Sequence, residues 1–183
     1  MRCAVTGMMA AAMVALAVPA FAQGGGQAGS SPAADPSCKG VAVEWPADLK
    51  AWGVAAVPVT AATGPGSIPA IMPGTPARIT LAPKEGVTLA VTPTKPVEDK
   101  TYAGTVAFVV PAAGPYRVAL DVGAWIDVVA DGKSLDSTSH RHGPNCSGIR
   151  KVVDFGLAAG TYQLQLSNSP AATVTLLLVP PQS

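Results

Sequence analysis

The chain has 183 residues, 12 Lys and Arg against 11 Asp and Glu, and a formal charge of +1. With no basic stripe and no acidic run, this balance argues against nucleic acid and anionic membrane surfaces as partners. The length supplies one core and hardly two.

Residues 1–22 carry the three parts of a secretory signal: a positive start at Arg2, an apolar run over 8–18, and the small-x-small pattern Ala20-Phe21-Ala22. Cleavage is expected after Ala22. The apolar run falls short of the roughly 20 residues that span a bilayer, and no later stretch is both long and unbroken. The mature chain is therefore expected to be periplasmic or secreted, without a membrane span. Abundant Ala, Gly, Pro and Val suit a high-GC bacterial gene, which favours the periplasm. Asp35-Pro36-Ser37 before Cys38 is not the small apolar run that precedes a lipid-bearing cysteine.

Arg2 is the one basic residue in the signal, so its loss leaves 11 Lys and Arg against 11 Asp and Glu. Cys3 leaves with it, and two cysteines remain. In an exported chain Cys38 and Cys146 are expected to pair. Such a bond closes a loop of about 110 residues and is worth about 4 to 5 kcal/mol in the chain-entropy picture. It also ties the N-terminal segment to the region of the histidines. The competing reading keeps Cys146 as a thiolate metal ligand.

Residues 23–37, rich in Gly, Ser, Ala and Pro, read as a flexible linker. Residues 38–75 read as an N-terminal arm and loop. Within them Val41, Val43 and Trp45 alternate like a short strand ended by Pro46. Leu49 and Trp52, three apart, suit one helical turn packed on the core. Core packing is the reading for both Trp45 and Trp52. Four prolines and three glycines mark 60–76 as a loop.

The sandwich domain is expected over 76–180. Residues 78–81 and 87–92 are short β-branched runs separated by the turn signal Pro83-Lys84-Glu85-Gly86, and 101–110 is a longer run stopped by Pro111. Tyr116, Val118 and Leu120 alternate with Arg117, Ala119 and Asp121, the pattern of a strand with one buried face. The alternation returns in Tyr162, Leu164, Leu166 and in Val174, Leu176, Leu178. Ala112-Ala113-Gly114-Pro115-Tyr116 and Ala158-Ala159-Gly160-Thr161-Tyr162 read as two equivalent corners. Asp131-Gly132 is the strongest hairpin signal, since Asp-Gly supplies the positive φ angles of a type I′ turn. It is expected to join 124–129 to a strand running into His140, with 149–157 as the return strand. These elements, with no convincing long helix, predict an all-β fold: an antiparallel β-sandwich or jelly roll with a short N-terminal arm.

Residues 114–179 resemble the bacterial pre-peptidase C-terminal type of β-sandwich. The resembling features are Gly-x-Tyr opening a strand at Gly114, the aromatic-Ile-x-Val strand at Trp125, the late Phe-x-Leu at Phe155, and Ala-Gly-Thr-Tyr ending at Tyr162. The resemblance implies an accessory or binding module of an exported protein, usually without catalysis of its own. No protease or other enzyme domain accompanies it here. The segment from His142 to Lys151, His-Gly-Pro-Asn-Cys-Ser-Gly-Ile-Arg-Lys, is also similar to one in small uncharacterised exported proteins of alphaproteobacteria. Some of those bear the label homogentisate dioxygenase. That activity needs a two-histidine, one-carboxylate iron site in a larger barrel, which this sequence does not match.

Both histidines lie in His140-Arg141-His142-Gly143-Pro144-Asn145-Cys146. If the stretch is extended, His140 and His142 project from one face and Arg141 from the other. Two imidazoles on one face suit Cu(II) or Zn(II), with Asp136, Asp127 or Cys146 as candidate third ligand. The competing reading is a solvated loop whose histidines only hydrogen-bond, with no cofactor. Arg141, Arg150 and Lys151 make the region locally positive and suited to a carboxylate-bearing ligand or peptide. Asp127 and Trp125 share a strand face and are candidates for a contact surface, against a cross-strand ion pair of Asp127 with Arg117. Ser137, Ser139 and Ser147 lie near the histidines, but no nucleophile elbow is present. The expected function is a non-catalytic binding or accessory protein that meets a protein or small ligand in the periplasm through its 140–146 loop. The alternative is a periplasmic copper- or zinc-binding protein.

Overall fold

A computed structural model describes residues 36–182; the expected signal segment 1–22 and residues 23–35 of the expected linker lie outside the described residues. Among the described residues eleven strands form two sheets. They are β1 (Val57–Thr60), β2 (Ala77–Thr80), β3 (Ala82–Pro83), β4 (Tyr102–Val110), β5 (Gly114–Leu120) and β6 (Trp125–Ala130), then β7 (Lys133–Leu135), β8 (Ser139–Arg141), β9 (Lys151–Leu157), β10 (Gly160–Ser169) and β11 (Thr173–Val179). One sheet runs β1-β2-β11-β5-β9-β8, and the other runs β3-β4-β10-β6-β7. Only the β1–β2 pair is parallel among the named strands; the other pairings are antiparallel. The fold is an all-β sandwich.

Period-two alternation explains the layers. Tyr116, Val118, Leu120, Val153, Phe155, Leu176 and Leu178 of the first sheet share one buried cluster with Val106, Phe108, Ile126, Val128, Tyr162, Leu164 and Leu166 of the second. Phe108 faces Tyr162 across the β4–β10 ladder, and the two rings stack at 5.5 Å between centroids. The two Ala-Ala-Gly corners are equivalent. The Tyr116 hydroxyl donates to the Ala112 carbonyl (3.1 Å) and that of Tyr162 to Ala158 (2.9 Å), each four residues back. Each tyrosine thus fills the core while its polar end closes the turn. Tyr116→Phe and Tyr162→Phe are each expected to cost about 1 kcal/mol, read by urea denaturation.

Both outer faces are covered. On the first sheet, a 3-10 helix (Ala47–Gly53) lays Leu49 against Ala119, Val152, Leu177 and Val179, with Trp45 and Trp52 at its margins. The expected core packing of both tryptophans and the helical turn are therefore present. The strand expected from Val41 to Trp45 is not: Val41 donates its N–H to the Cys38 carbonyl in a turn and is 51% exposed. A row of alternating charges fastens the arm from the side. Arg141 pairs with Asp154 (2.7 Å), Arg117 Nε lies 3.2 Å from Asp154 Oδ1, and Arg117 also pairs with Asp48 of the 3-10 helix.

On the second sheet the cover is an irregular strap over 87–101. Here a strand was expected over 87–92, and none forms. The Val91 N–H and carbonyl are taken by the side-chain amide of Gln165 (3.0 and 3.1 Å) instead of by a neighbouring strand. Asn168 does the same for the Glu98 N–H (2.7 Å) and the Pro96 carbonyl (2.9 Å). Pro93 and Pro96 lack the donors a ladder needs. Buried polar side chains thereby replace the missing strand partner.

The Asp-Gly turn forms, with φ of 49° at Asp131 and 72° at Gly132. The hairpin it makes is shorter than expected. β7 pairs with β6 for three residues, the chain then crosses at 136–138, and β8 pairs with β9 in the other sheet. N-terminal to residue 76, β1 forms an edge of the first sheet, and Ala61 and Ile71 beyond it are buried in the core.

Candidate functional site

Cys38 and Cys146 stand at disulfide distance, with Cα atoms 5.2 Å apart and a sequence separation of 108. The bond anchors the arm directly on the histidine loop. The loop is built inward from there. Ser147 Oγ donates to the Pro144 carbonyl (2.6 Å) and accepts the Ile149 N–H (3.1 Å), closing a tight turn. Cys146 (φ 59°) and Gly148 (φ 74°) turn the chain through left-handed conformations. Ile149 is buried with Leu49, and Arg150 donates its N–H to the Leu120 carbonyl (2.7 Å).

Gly143 is a packing requirement. A Cβ there would lie 2.4 Å from Ile149 Cβ and 2.7 Å from the Ile149 carbonyl oxygen, and that backbone cannot give way cheaply. Gly143→Ala is expected to cost about 2 kcal/mol and to move the His142 resonances. Unchanged stability and unchanged spectra would show a looser loop than this packing describes.

An open depression of about 380 Å³ lies beside the loop, lined by Gly123, His140, Arg141, His142, Arg150 and Lys151. Three strand ends bring these residues together: β8, the start of β9, and the β5–β6 connection. None of the lining residues is acidic. His142 Nδ1 lies 3.0 Å from the Arg150 carbonyl. A carbonyl only accepts, so Nδ1 carries the proton and Nε2 is left outward. Arg141 is the only lining residue in an ion pair among the described residues, and its partner Asp154 sits on the sheet's outer face. Lys151 Nζ donates to the Ala124 carbonyl (3.1 Å) and stands 5.0 Å over the Trp125 ring. Burial pushes its amine below the usual lysine range, Lys95 adds to that, and Asp127 opposes it.

Of the sequence-derived candidates, His140, His142, Arg141 and Arg150 meet in the depression, and Cys146 braces it. Asp136 is exposed in the crossing between sheets and does not line it. Among the described residues no group of three His, Cys, Asp or Glu side chains is placed to hold a metal ion. Asp127 is not a surface residue. It is 2% exposed beneath the strap, and its Oδ1 accepts from Thr94 (2.7 Å), Ser134 (3.2 Å) and Trp125 (3.3 Å). Nor does it pair with Arg117, which lies in the other sheet and holds Asp48 and Asp154. Trp125 is half-buried, and its Nε1 donates to Thr94 Oγ1 (2.9 Å). Ser139 donates to Asp154 and Ser147 to Pro144, so both hydroxyls have structural partners other than an imidazole. Gly123 was not foreseen, because a glycine carries no chemical signal and it reaches the site only through the fold.

No protein-family model matches the chain, and no curated protein matches it. No helix among the described residues is long and apolar enough to cross a membrane.

Proposed function

We propose that this chain is an exported, non-catalytic binding or accessory β-sandwich whose 140–146 loop is the contact surface for a periplasmic partner or small ligand. The observation that carries the reading is the bracing of an exposed loop. A disulfide, a serine-closed turn and the packed Ile149 hold residues 140–146 in place while Asn145 and both histidines stay exposed. A pre-set surface loses little entropy when it binds. The signal pattern of residues 1–22 and the paired cysteines support export. The likeness of residues 114–179 to pre-peptidase C-terminal sandwiches supports an accessory role.

The test is a photo-crosslinking residue at Asn145 in cells exporting the full chain, with a control at exposed Val109 on β4. A discrete adduct from 145 that is missing from 109, and weakened by Gly143→Ala, is the expected result. Identical adducts from both positions would overturn it.

One observation favours copper or zinc binding as a second reading. His142 gives its Nδ1 proton to a backbone carbonyl, the arrangement that presents Nε2 to a metal. The basic side chains of Arg141, Arg150 and Lys151 around it work against a bare dication.

A further inference from the structure

We propose that the depression beside the loop is a carboxylate-binding subsite, with the Arg150 guanidinium taking the carboxylate and Lys151 and the two imidazoles lining the wall beside it. This rests on the reading of the 140–146 region as a contact surface and names the chemistry that surface recognises.

The charge arrangement is the first argument. The mature chain carries equal numbers of acidic and basic residues, yet all the charged lining of this depression is basic. Gathering Arg141, Arg150 and Lys151 in one concavity costs mutual repulsion, which an anion relieves. Asp154 offsets Arg141 and the buried Asp127 acts on Lys151, but no ion pair among the described residues offsets Arg150. Asp154 is held by Ser139, Arg141 and Arg117 on the outer face, and Asp127 is buried under the strap with three donors on its Oδ1. Lys95, the further cation acting on Lys151, pairs with Glu98 on the strap (3.0 Å).

Donor geometry is the second. The Arg150 side chain is exposed and makes no ion pair among the described residues, while its backbone N–H and carbonyl are both fixed, to Leu120 and His142. A planar fork on a fixed backbone is the arrangement that grips a carboxylate with two parallel bonds. Lys151 uses its ammonium once, toward the Ala124 carbonyl, and retains further donors. The volume is that of a small-molecule pocket or the end of a peptide. Both sources present the same group, a free carboxylate.

Gly123 offers a clean block. A Cβ there meets no atom within 4 Å, so a bulky side chain can be added at this lining position without a clash at its first carbon.

The experiment uses the oxidised full-length mature protein, labelled with 15N and titrated with four probes: citrate, an N-acetylated tripeptide with a free carboxylate, its C-terminal amide, and inorganic phosphate. Citrate and the free-carboxylate peptide are expected to give saturable shifts at Gly123, His142, Arg150 and Lys151, and the amide none. Whichever of the two binds more tightly identifies the source. Arg150→Gln should weaken binding about tenfold, Gly123→Tyr should abolish it, and exposed Lys100→Gln should leave it unchanged. Both site variants should keep the melting temperature of the parent. No saturable shift, equal binding of the amide, or phosphate binding more tightly than either carboxylate would overturn the proposal. Such a result beside an intact Asn145 crosslink would remove the ligand class and leave the contact surface standing.

Discussion

Replacing Cys38 and Cys146 together with serine is expected to lower stability by about 4 to 5 kcal/mol, the chain-entropy value for a loop of this length. For a domain of this size that corresponds to a fall in Tm of about 10 to 20 °C. The bond spans 108 residues, from the arm to the histidine loop, so its loss frees both ends at once. The effect should be uneven. Amide exchange should rise first over the 3-10 helix and residues 140–150, while β4, β5 and β10 keep their protection. Thiol labelling gives a companion check: none in the native mature protein, and two per chain after reduction. Two reactive thiols before reduction, or a serine pair as stable as the parent, would contradict the pairing.

Leu49→Ala is expected to cost about 2 to 3 kcal/mol, because it empties the centre of the cover on the first sheet. Leu49 is 3% exposed and packs in one cluster with Ala119, Ile149, Val152, Leu177 and Val179. Val41→Ala, on an exposed arm residue, should fall within about 0.5 kcal/mol of the parent. Leu49 and the disulfide hold the same segment, so their effects should couple. In the cysteine-free background the arm can leave the sheet alone, and the Leu49→Ala cost is then capped by the free energy of docking. A full, additive cost would show that the arm unfolds only with the whole domain.

The sandwich was legible where local chemistry and the fold agree. Asp131-Gly132 can do little but turn, and the Tyr116 and Tyr162 strands alternate cleanly between core and cover. The cysteine pair was legible from number and from the signal-like pattern of residues 1–22. The strap was not. Val87, Leu89 and Val91 alternate as a strand does, but Gln165, 74 residues later, takes both backbone groups of Val91 in place of a neighbouring strand. Asp127 was misplaced for the same reason, since nothing near it announces that a strap will bury its face. The crossing at 136–138 also escaped, because the alternation near His140 does not say which sheet supplies the neighbour. The basic lining was legible where it is contiguous, over 140–151, and Gly123 was not.

Metal content bears most directly on the central claim, that the 140–146 loop is a contact surface for an anionic partner and not a metal centre. The protein, expressed into the periplasm of a bacterial host, would be subjected to elemental analysis, then titrated with Cu(II) and Zn(II) alongside a His140→Ala/His142→Ala double variant. The account predicts no stoichiometric metal, with only weak binding that the double variant barely changes. A stoichiometric, submicromolar site abolished by the double variant would contradict it and make this a metal-handling protein.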